Sequence, residues 1–131
     1  MERQWEKFRG GPANRSSEEL RVTLNKRGMI YMNARAYKAF GSPEAVAIYY
    51  NRESDAMALE PAYPRFAENF SVIKNMNGFS IHASTFCRHY NIRVPTTQRF
   101  LRPNITTDGH LILNLRDTVA VGGMVRTKSA S

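Results

Sequence analysis

The side chains with the clearest potential for chemistry are His82, Cys87 and His89, which follow one another as His-x4-Cys-x-His. Imidazole and thiolate groups bind zinc, and a cysteine beside a histidine is also the pairing found in thiol nucleophiles. A zinc site would need a fourth ligand, and two helical residues two apart face different sides. We therefore expect a half-buried Cys87 with surface histidines, and neither a metal nor a cofactor.

Enzymatic chemistry has little support elsewhere in the sequence. The chain has only eleven acidic residues, and no paired carboxylates stand out for acid–base or metal chemistry. The glycine pairs at residues 10–11 and 122–123 lack the Lys-Ser/Thr that completes a phosphate-binding loop. No orienting acid or glycine-rich oxyanion turn accompanies Cys87. We therefore expect a protein that is not an enzyme.

The charge of the chain favours an anionic partner. The formal net charge is +8 and the isoelectric point is near 10.1, which makes nucleic acid the first partner to consider, ahead of an acidic membrane face. Residues 63–116 carry seven basic and two acidic side chains, whereas residues 20–62 carry six and four. The second half is therefore expected to carry more of any polyanion contact.

The same composition indicates a compartment. No apolar run approaches the roughly 20 residues that a membrane helix requires, and the first residues lack the apolar core of a signal peptide. Cys87 is the only cysteine, so an internal disulfide is excluded. We expect a cytoplasmic protein that does not associate with a membrane.

An internal repeat predicts how these side chains are positioned. Residues 28–41 return, without a gap, as residues 78–91, at an offset of fifty positions. Each copy reads as a glycine turn, a short apolar strand and a short helix with apolar residues four apart, closed by Gly41 or Asn91. A strand-like run precedes each copy and a hairpin pattern follows it. The repeat therefore predicts two tandem ββαββ units.

These units set the domain organisation. We expect residues 1–19 to form a flexible N-terminal arm, residues 20–62 the first unit, and residues 63–116 the second. Residues 117–131 are expected to add an edge strand and a C-terminal tail. A unit of about forty-five residues is too small to bury both faces of its strands alone, so the two should share one core.

The chain resembles the AbrB/MazE/MraZ group of DNA-binding proteins. The resemblance covers residues 20–116 and rests on the element order, on Gly28 and Gly78 ahead of the second strand, and on the helix closed by Gly41 or Asn91. In that group two units interleave hairpins to close one β-barrel, from two chains or from two units of one chain. The resemblance implies a mostly β fold with short helices, built as a pseudo-twofold swapped-hairpin barrel.

The resemblance also implies a function, that of a small transcriptional regulator that binds double-stranded DNA. The group would place its DNA contacts on the turn after the first strand and at the start of the helix. The residues at those positions are Arg21, Lys26, Arg27, Arg35, Lys74, Asn75, Asn77 and Arg88. Arginine and lysine there would contact phosphates, and asparagine or arginine could read base edges.

A second hypothesis from another class remains open. The chain would then be a non-catalytic interaction module or accessory subunit, with Tyr49 and Tyr50 of the barrel and Trp5 and Phe8 of the arm contacting another protein. Homo-oligomerisation is compatible with both hypotheses. Steeply salt-dependent DNA affinity would distinguish the first from the second.

Overall fold

The computed structural model describes residues 19–121, which form ten strands and two short helices. The predicted arm up to residue 18, with Trp5 and Phe8, and the tail from residue 122 lie outside the described residues. The elements are β1 (Val22–Leu24), β2 (Met29–Met32), α1 (Ala34–Ala39), β3 (Ala45–Asn51), β4 (Ala56–Ala62), β5 (Phe70–Lys74), β6 (Phe79–His82), α2 (Ser84–His89), β7 (Gln98–Phe100), β8 (Asn104–Ile105), β9 (Leu111–Asn114) and β10 (Thr118–Ala120).

All ten strands belong to one antiparallel sheet that curls into a half-barrel. The order across it is β10-β7-β1-β2-β6-β5-β3-β4-β9-β8. The predicted mostly β fold with short helices is therefore confirmed, and β10 forms an edge strand as expected. Strand β8, only two residues long, was not predicted, because Asn104 and Ile105 carry no alternating pattern of their own.

Strand pairing joins the two copies of the repeat. Strand β1 of the first copy pairs with β7 of the second, and β3 of the first pairs with β5 of the second. The two second strands, β2 and β6, pair with each other through Met29 with His82 and Met32 with Phe79. At the offset of fifty, Met29 corresponds to Phe79 and His82 corresponds to Met32, so each of these two pairs maps onto the other. The junction between β2 and β6 therefore follows the pseudo-twofold relation of the repeat.

The two first hairpins differ by one residue. In the β1–β2 hairpin, Leu24 pairs with Ile30 across residues 25–29, whereas in the β5–β6 hairpin Lys74 pairs with Phe79 across residues 75–78. The first turn is closed by the Asn25 amide donating to the Met29 carbonyl at 3.0 Å, with Gly28 at a φ of +85°, and the second by the Asn75 amide donating to the Gly78 carbonyl at 2.7 Å. The two units also diverge after the helix. In the first unit β3 and β4 form the expected hairpin, but the hairpin expected in the second unit does not form, because β7 pairs with β1 and β10 and β9 pairs with β4 and β8.

Both helices end as the sequence predicted. Gly41 has a φ of +101° and Asn91 a φ of +57°, the left-handed conformation that closes a helix. The amide of Ser42 donates to the Tyr37 carbonyl at 2.9 Å, and the amide of Ile92 donates to the Cys87 carbonyl at 2.8 Å. The two bonds are fifty residues apart and satisfy carbonyls that a helix end would otherwise leave open. The chain thus leaves each helix in a defined direction.

The core lies on the concave side of the half-barrel and draws on both copies. Its fully buried members come from strands throughout the sheet and include Leu24, Ile30, Met57, Ile81 and Leu113. The helices contribute Ala36, Phe86 and Cys87. Neither helix reaches the length or apolarity needed to cross a bilayer, and residues 19–121 contain no other helix. One shared core follows from the interleaved strand order.

Candidate nucleic-acid interface

A basic groove lies where the turn of the first hairpin meets the second helix. The turn, residues 25–28, packs on the start of α2, where the amide of Ala83 donates to the Gly28 carbonyl at 2.9 Å. A Cβ atom on Gly28 would lie 2.7 Å from the Cα of Ser84, so only glycine permits this approach. One wall therefore comes from the first copy and the other from the second.

One asparagine, Asn25, fixes the conformation of the turn and leaves its basic side chains on the surface. The Oδ1 atom of Asn25 accepts from the amides of Arg27 at 2.9 Å and Met29 at 3.0 Å, and the Gly28 amide donates to the Asn25 carbonyl at 3.0 Å. These bonds occupy the interior of the turn, and the Lys26 and Arg27 side chains are left exposed. Such side chain to backbone bonding is why asparagine favours turns.

The opposite wall is set by the end of α2. Arg88 is exposed and lies in the last turn of the helix, so its predicted position at the helix start was wrong, and the chain then turns at Asn91. The Nε atom of Arg93 donates to the Oδ1 atom of Asn91 at 3.0 Å, which fixes the guanidinium beside the helix end. Both guanidinium groups therefore face the same groove as the Lys26–Arg27 turn.

The charges of this groove are all of one sign. Its volume is about 250 Å³, and it is lined by eleven residues, of which Lys26, Arg27, Arg88 and Arg93 are the charged ones. The four ion pairs found within residues 19–121 involve other cations. Among the residues that the structure describes, no carboxylate lines the groove, so these residues attract anions more strongly than a mixed surface would.

Substitution of Gly28 with alanine should test the contact that forms the groove. The added Cβ would meet the backbone of Ser84 and would also sit at a positive φ, so we expect the free energy of unfolding to fall by about 3 kcal/mol. Gly41→Ala is the matched control, because its φ is also positive but its Cβ would meet nothing within 4 Å. We expect about 1 kcal/mol there.

Urea unfolding followed by circular dichroism would measure both glycine variants. A loss in Gly28→Ala that is no larger than the loss in Gly41→Ala would contradict the close contact between turn and helix.

The predicted residues of the second hairpin lie beside α1 instead. The ring of Phe79 stacks on that of Tyr37 in α1, with centroids 3.7 Å apart, and the Lys74 Nζ lies 5.7 Å from the Phe79 ring. The Tyr31 hydroxyl donates to the Asn77 carbonyl at 2.7 Å, and the Nδ2 atom of Asn75 donates to the Ser80 hydroxyl oxygen. This second site contains one lysine, Lys74 at the end of β5, and its turn contains no cation where the first has Lys26 and Arg27.

Arg21 and Arg35 do not join the basic groove. The Arg21 amide donates to the Oδ1 atom of Asn33, the residue that caps α1, and Asn33 returns a backbone bond at 3.0 Å to the Arg21 carbonyl. Arg35 lies with Lys38 and Leu20 around a separate shallow depression. The structure therefore gathers Lys26, Arg27 and Arg88 in one groove and distributes the other five predicted residues over the α1 side.

Sequence reasoning missed Asn25 as the organiser of the turn and Arg93 as the fourth cation. The signal for Arg93 was present, since it lies two residues beyond the predicted helix end at Asn91. The prediction considered only the first turn and the helix start of each unit. It also expected the second unit to dominate, whereas each unit supplies two of the four cations.

The residues of the histidine–cysteine cluster are divided between the interior and the surface. Cys87 is 5% exposed, so it is more buried than expected, and burial raises the pKa of its thiol. A protonated thiol is a poor nucleophile and a poor metal ligand. His82 and His89 are exposed, as expected, and no three His, Cys, Asp or Glu side chains converge on a metal-binding position within residues 19–121.

Tyr37 and Cys87 are both ionisable groups that burial keeps neutral. Desolvation is the main cause of the raised pKa of Tyr37, with the Glu44 carboxylate adding to it. At pH values below their unfolded-state pKa values, both neutral groups therefore stabilise the folded protein. This stabilisation declines as rising pH ionises the same two groups in the unfolded chain.

Comparison of the chain with protein-family models, with curated proteins and with solved structures found no match.

Proposed function

We propose that the protein binds double-stranded DNA and acts as a small transcriptional regulator. The observation that carries this proposal is the groove in which Lys26, Arg27, Arg88 and Arg93 converge without a lining carboxylate. Duplex DNA carries about one negative charge per 1.7 Å of axis, so a cluster of cations at one groove can meet several phosphates at once. Arginine also pairs with phosphate through two parallel bonds.

The rigidity of the groove supports binding without a large ordering cost. The turn is held by Asn25 and docked on Ser84, and Arg93 is held by Asn91. Side chains that start from a fixed backbone lose less freedom on binding than those on a mobile loop. The backbone positions of the four cations are therefore set before DNA arrives.

We propose further that the fold is the swapped-hairpin barrel of the AbrB/MazE/MraZ group. The support is that β1 pairs with β7 and β3 with β5, so each first hairpin lies beside a later strand of the other copy. The β2–β6 register, which maps onto itself at an offset of fifty, adds to this. Under this proposal the turns of the β1–β2 and β5–β6 hairpins occupy equivalent positions for DNA contact, but their side chains differ.

The difference between these two turns affects how the protein would recognise DNA. The first turn presents Lys26 and Arg27, while the second presents Met76 and Asn77 at the corresponding positions and has Asn75 where the first has Asn25. One half would then supply most of the phosphate contacts, and the other would contribute asparagine side chains suited to base edges. We therefore expect the preferred DNA site to lack twofold symmetry.

The test is fluorescence anisotropy of the full chain on a labelled mixed-sequence duplex over a salt series. Four phosphate contacts predict that log K falls with log salt with a slope of about −3.6. Micromolar or tighter binding at low salt with a slope near this value would support the proposal. Absence of binding at low salt would overturn it and leave the interaction module as the working hypothesis.

A further inference from the structure

Among residues 19–121, one edge of strand β3 has no pairing strand along most of its length. On one side all seven residues of β3 pair with β4, but on the other side pairing with β5 covers only Ala45 and Val46. The Val72 amide donates to the Glu44 carbonyl, so the backbone of Glu44 faces β5. Because strand residues alternate in direction, the backbone groups of Ile48 and Tyr50 face that same side beyond the end of β5.

An aromatic groove lies over the face of β3 and β4 next to this strand. Ala47 to Tyr49 of β3 line it together with Glu60 to Ala62 of β4 and with Tyr63, Phe66, Glu68 and Asn69 of the β4–β5 linker, and its volume is about 440 Å³. Tyr49, Tyr63 and Phe66 are 55%, 66% and 46% exposed. Three large aromatic rings exposed together around a groove are typical of an interaction surface.

The groove is acidic although the chain is strongly basic. Glu60 and Glu68 line it, and no lysine or arginine does. The Tyr49 hydroxyl donates to Glu60 Oε1 at 2.9 Å, and His110 Nε2 lies 3.4 Å from Glu60 Oε2. Arg65 is the nearby cation, and its guanidinium stacks over the rings of Tyr63 and Phe66 outside the lining. The local charge is therefore opposite to that of the basic groove.

From this edge, groove and charge we propose that the protein binds an extended basic peptide segment of a partner protein, which adds a strand to β3 beside Tyr49. The open N–H and C=O groups of Ile48 and Tyr50 would supply main-chain affinity, and the aromatic and acidic side chains would select the sequence. This site shares no lining residue with the basic groove. The inference therefore stands independently of DNA binding.

The chemistry of the occupant follows from the alternation of a strand. Side chains on alternate positions of the added strand face the same side as Tyr49 and Glu60, so lysine or arginine at those positions would meet the carboxylates. The intervening side chains would point to the other face of the sheet, toward the half-buried Ile48 and Tyr50, and should be apolar. A peptide that alternates lysine with valine is the simplest sequence with this pattern.

The experiment uses the full chain and a labelled acetyl-Lys-Val-Lys-Val-Lys-Val-amide peptide, with binding followed by fluorescence anisotropy. We expect the peptide to bind although the net charge of +8 repels it, and amide hydrogen exchange at Ile48 and Tyr50 to slow at least fivefold in the complex. A peptide with glutamate in place of lysine, and one with N-methylated valine amides, are the matched ligands. Both should fail to slow exchange at Ile48 and Tyr50.

The protein variants separate the groove from general electrostatics. Glu60→Gln with Glu68→Gln should weaken lysine-peptide binding at least fivefold, whereas Glu53→Gln with Asp108→Asn, two exposed acids outside the groove, should leave it within twofold. The proposal is overturned if the lysine peptide does not bind, if both double variants behave alike, or if exchange at Ile48 and Tyr50 is unchanged in the complex. Folding of each variant is checked by circular dichroism.

Discussion

Reversing the charges of Lys26 and Arg27 together should lower the affinity for duplex DNA by about a hundredfold at low salt. Each glutamate removes a cation from the basic groove and places a carboxylate beside Arg88 and Arg93, so two phosphate contacts are lost and the remaining two are partly neutralised. The salt slope should therefore become shallower by about 2. Fluorescence anisotropy over the same salt series measures both quantities.

The control for this variant has to change the net charge by the same amount. Arg52→Glu with Arg65→Glu does so, because both residues are exposed and contact aromatic rings away from the basic groove. We expect a loss of less than fivefold in this control. Equal losses in the two double variants would mean that DNA responds to the overall charge of the chain, and the proposal of a specific groove would then fail.

Much of the fold could be predicted because the chain repeats its local signals. Alternating apolar residues, the Asn77-Gly78 turn and the helix-closing Gly41 and Asn91 all act over a few residues, so they are visible in sequence. The one-residue difference between the two hairpins was not visible. Both turns contain asparagine and glycine at equivalent positions, Asn25 with Gly28 and Asn75 with Gly78, so their local residue types do not distinguish the longer turn from the shorter one.

Three of the four cations of the basic groove could be predicted from the sequence, but their convergence in one groove could not. Lys26, Arg27 and Arg88 were selected as positions within their own units, and nothing in the sequence placed the turn of one unit on the helix of the other. That juxtaposition follows from the pairing of β2 with β6, which is a long-range contact. Arg93 was missed for a different reason, because the prediction did not extend beyond the helix of each unit, and Arg93 lies two residues past the helix end at Asn91.

Removal of the second half should prevent the first half from folding as a monomer. In a fragment of residues 1–62, β1 loses β7, β2 loses β6, and the β3–β4 hairpin loses β5 and β9. The core that these strands share would be opened on several sides, and a piece of this size buries too little apolar surface to compensate. We expect the fragment to aggregate or to form a homodimer.

If the fragment does not aggregate, the register of the β2–β6 pairing favours a homodimer. Because Met29 pairs with His82 and Met32 with Phe79 fifty positions away, a second copy of β2 can take the place of β6 with Met29 opposite Met32. Light scattering after size-exclusion chromatography would give the mass of the 1–62 fragment, and circular dichroism would report its strand content. A fragment of residues 19–121 is the control and should be monomeric and folded. A monomeric 1–62 fragment with a cooperative thermal transition would contradict interleaving, since it would show that the first unit completes its core without the second.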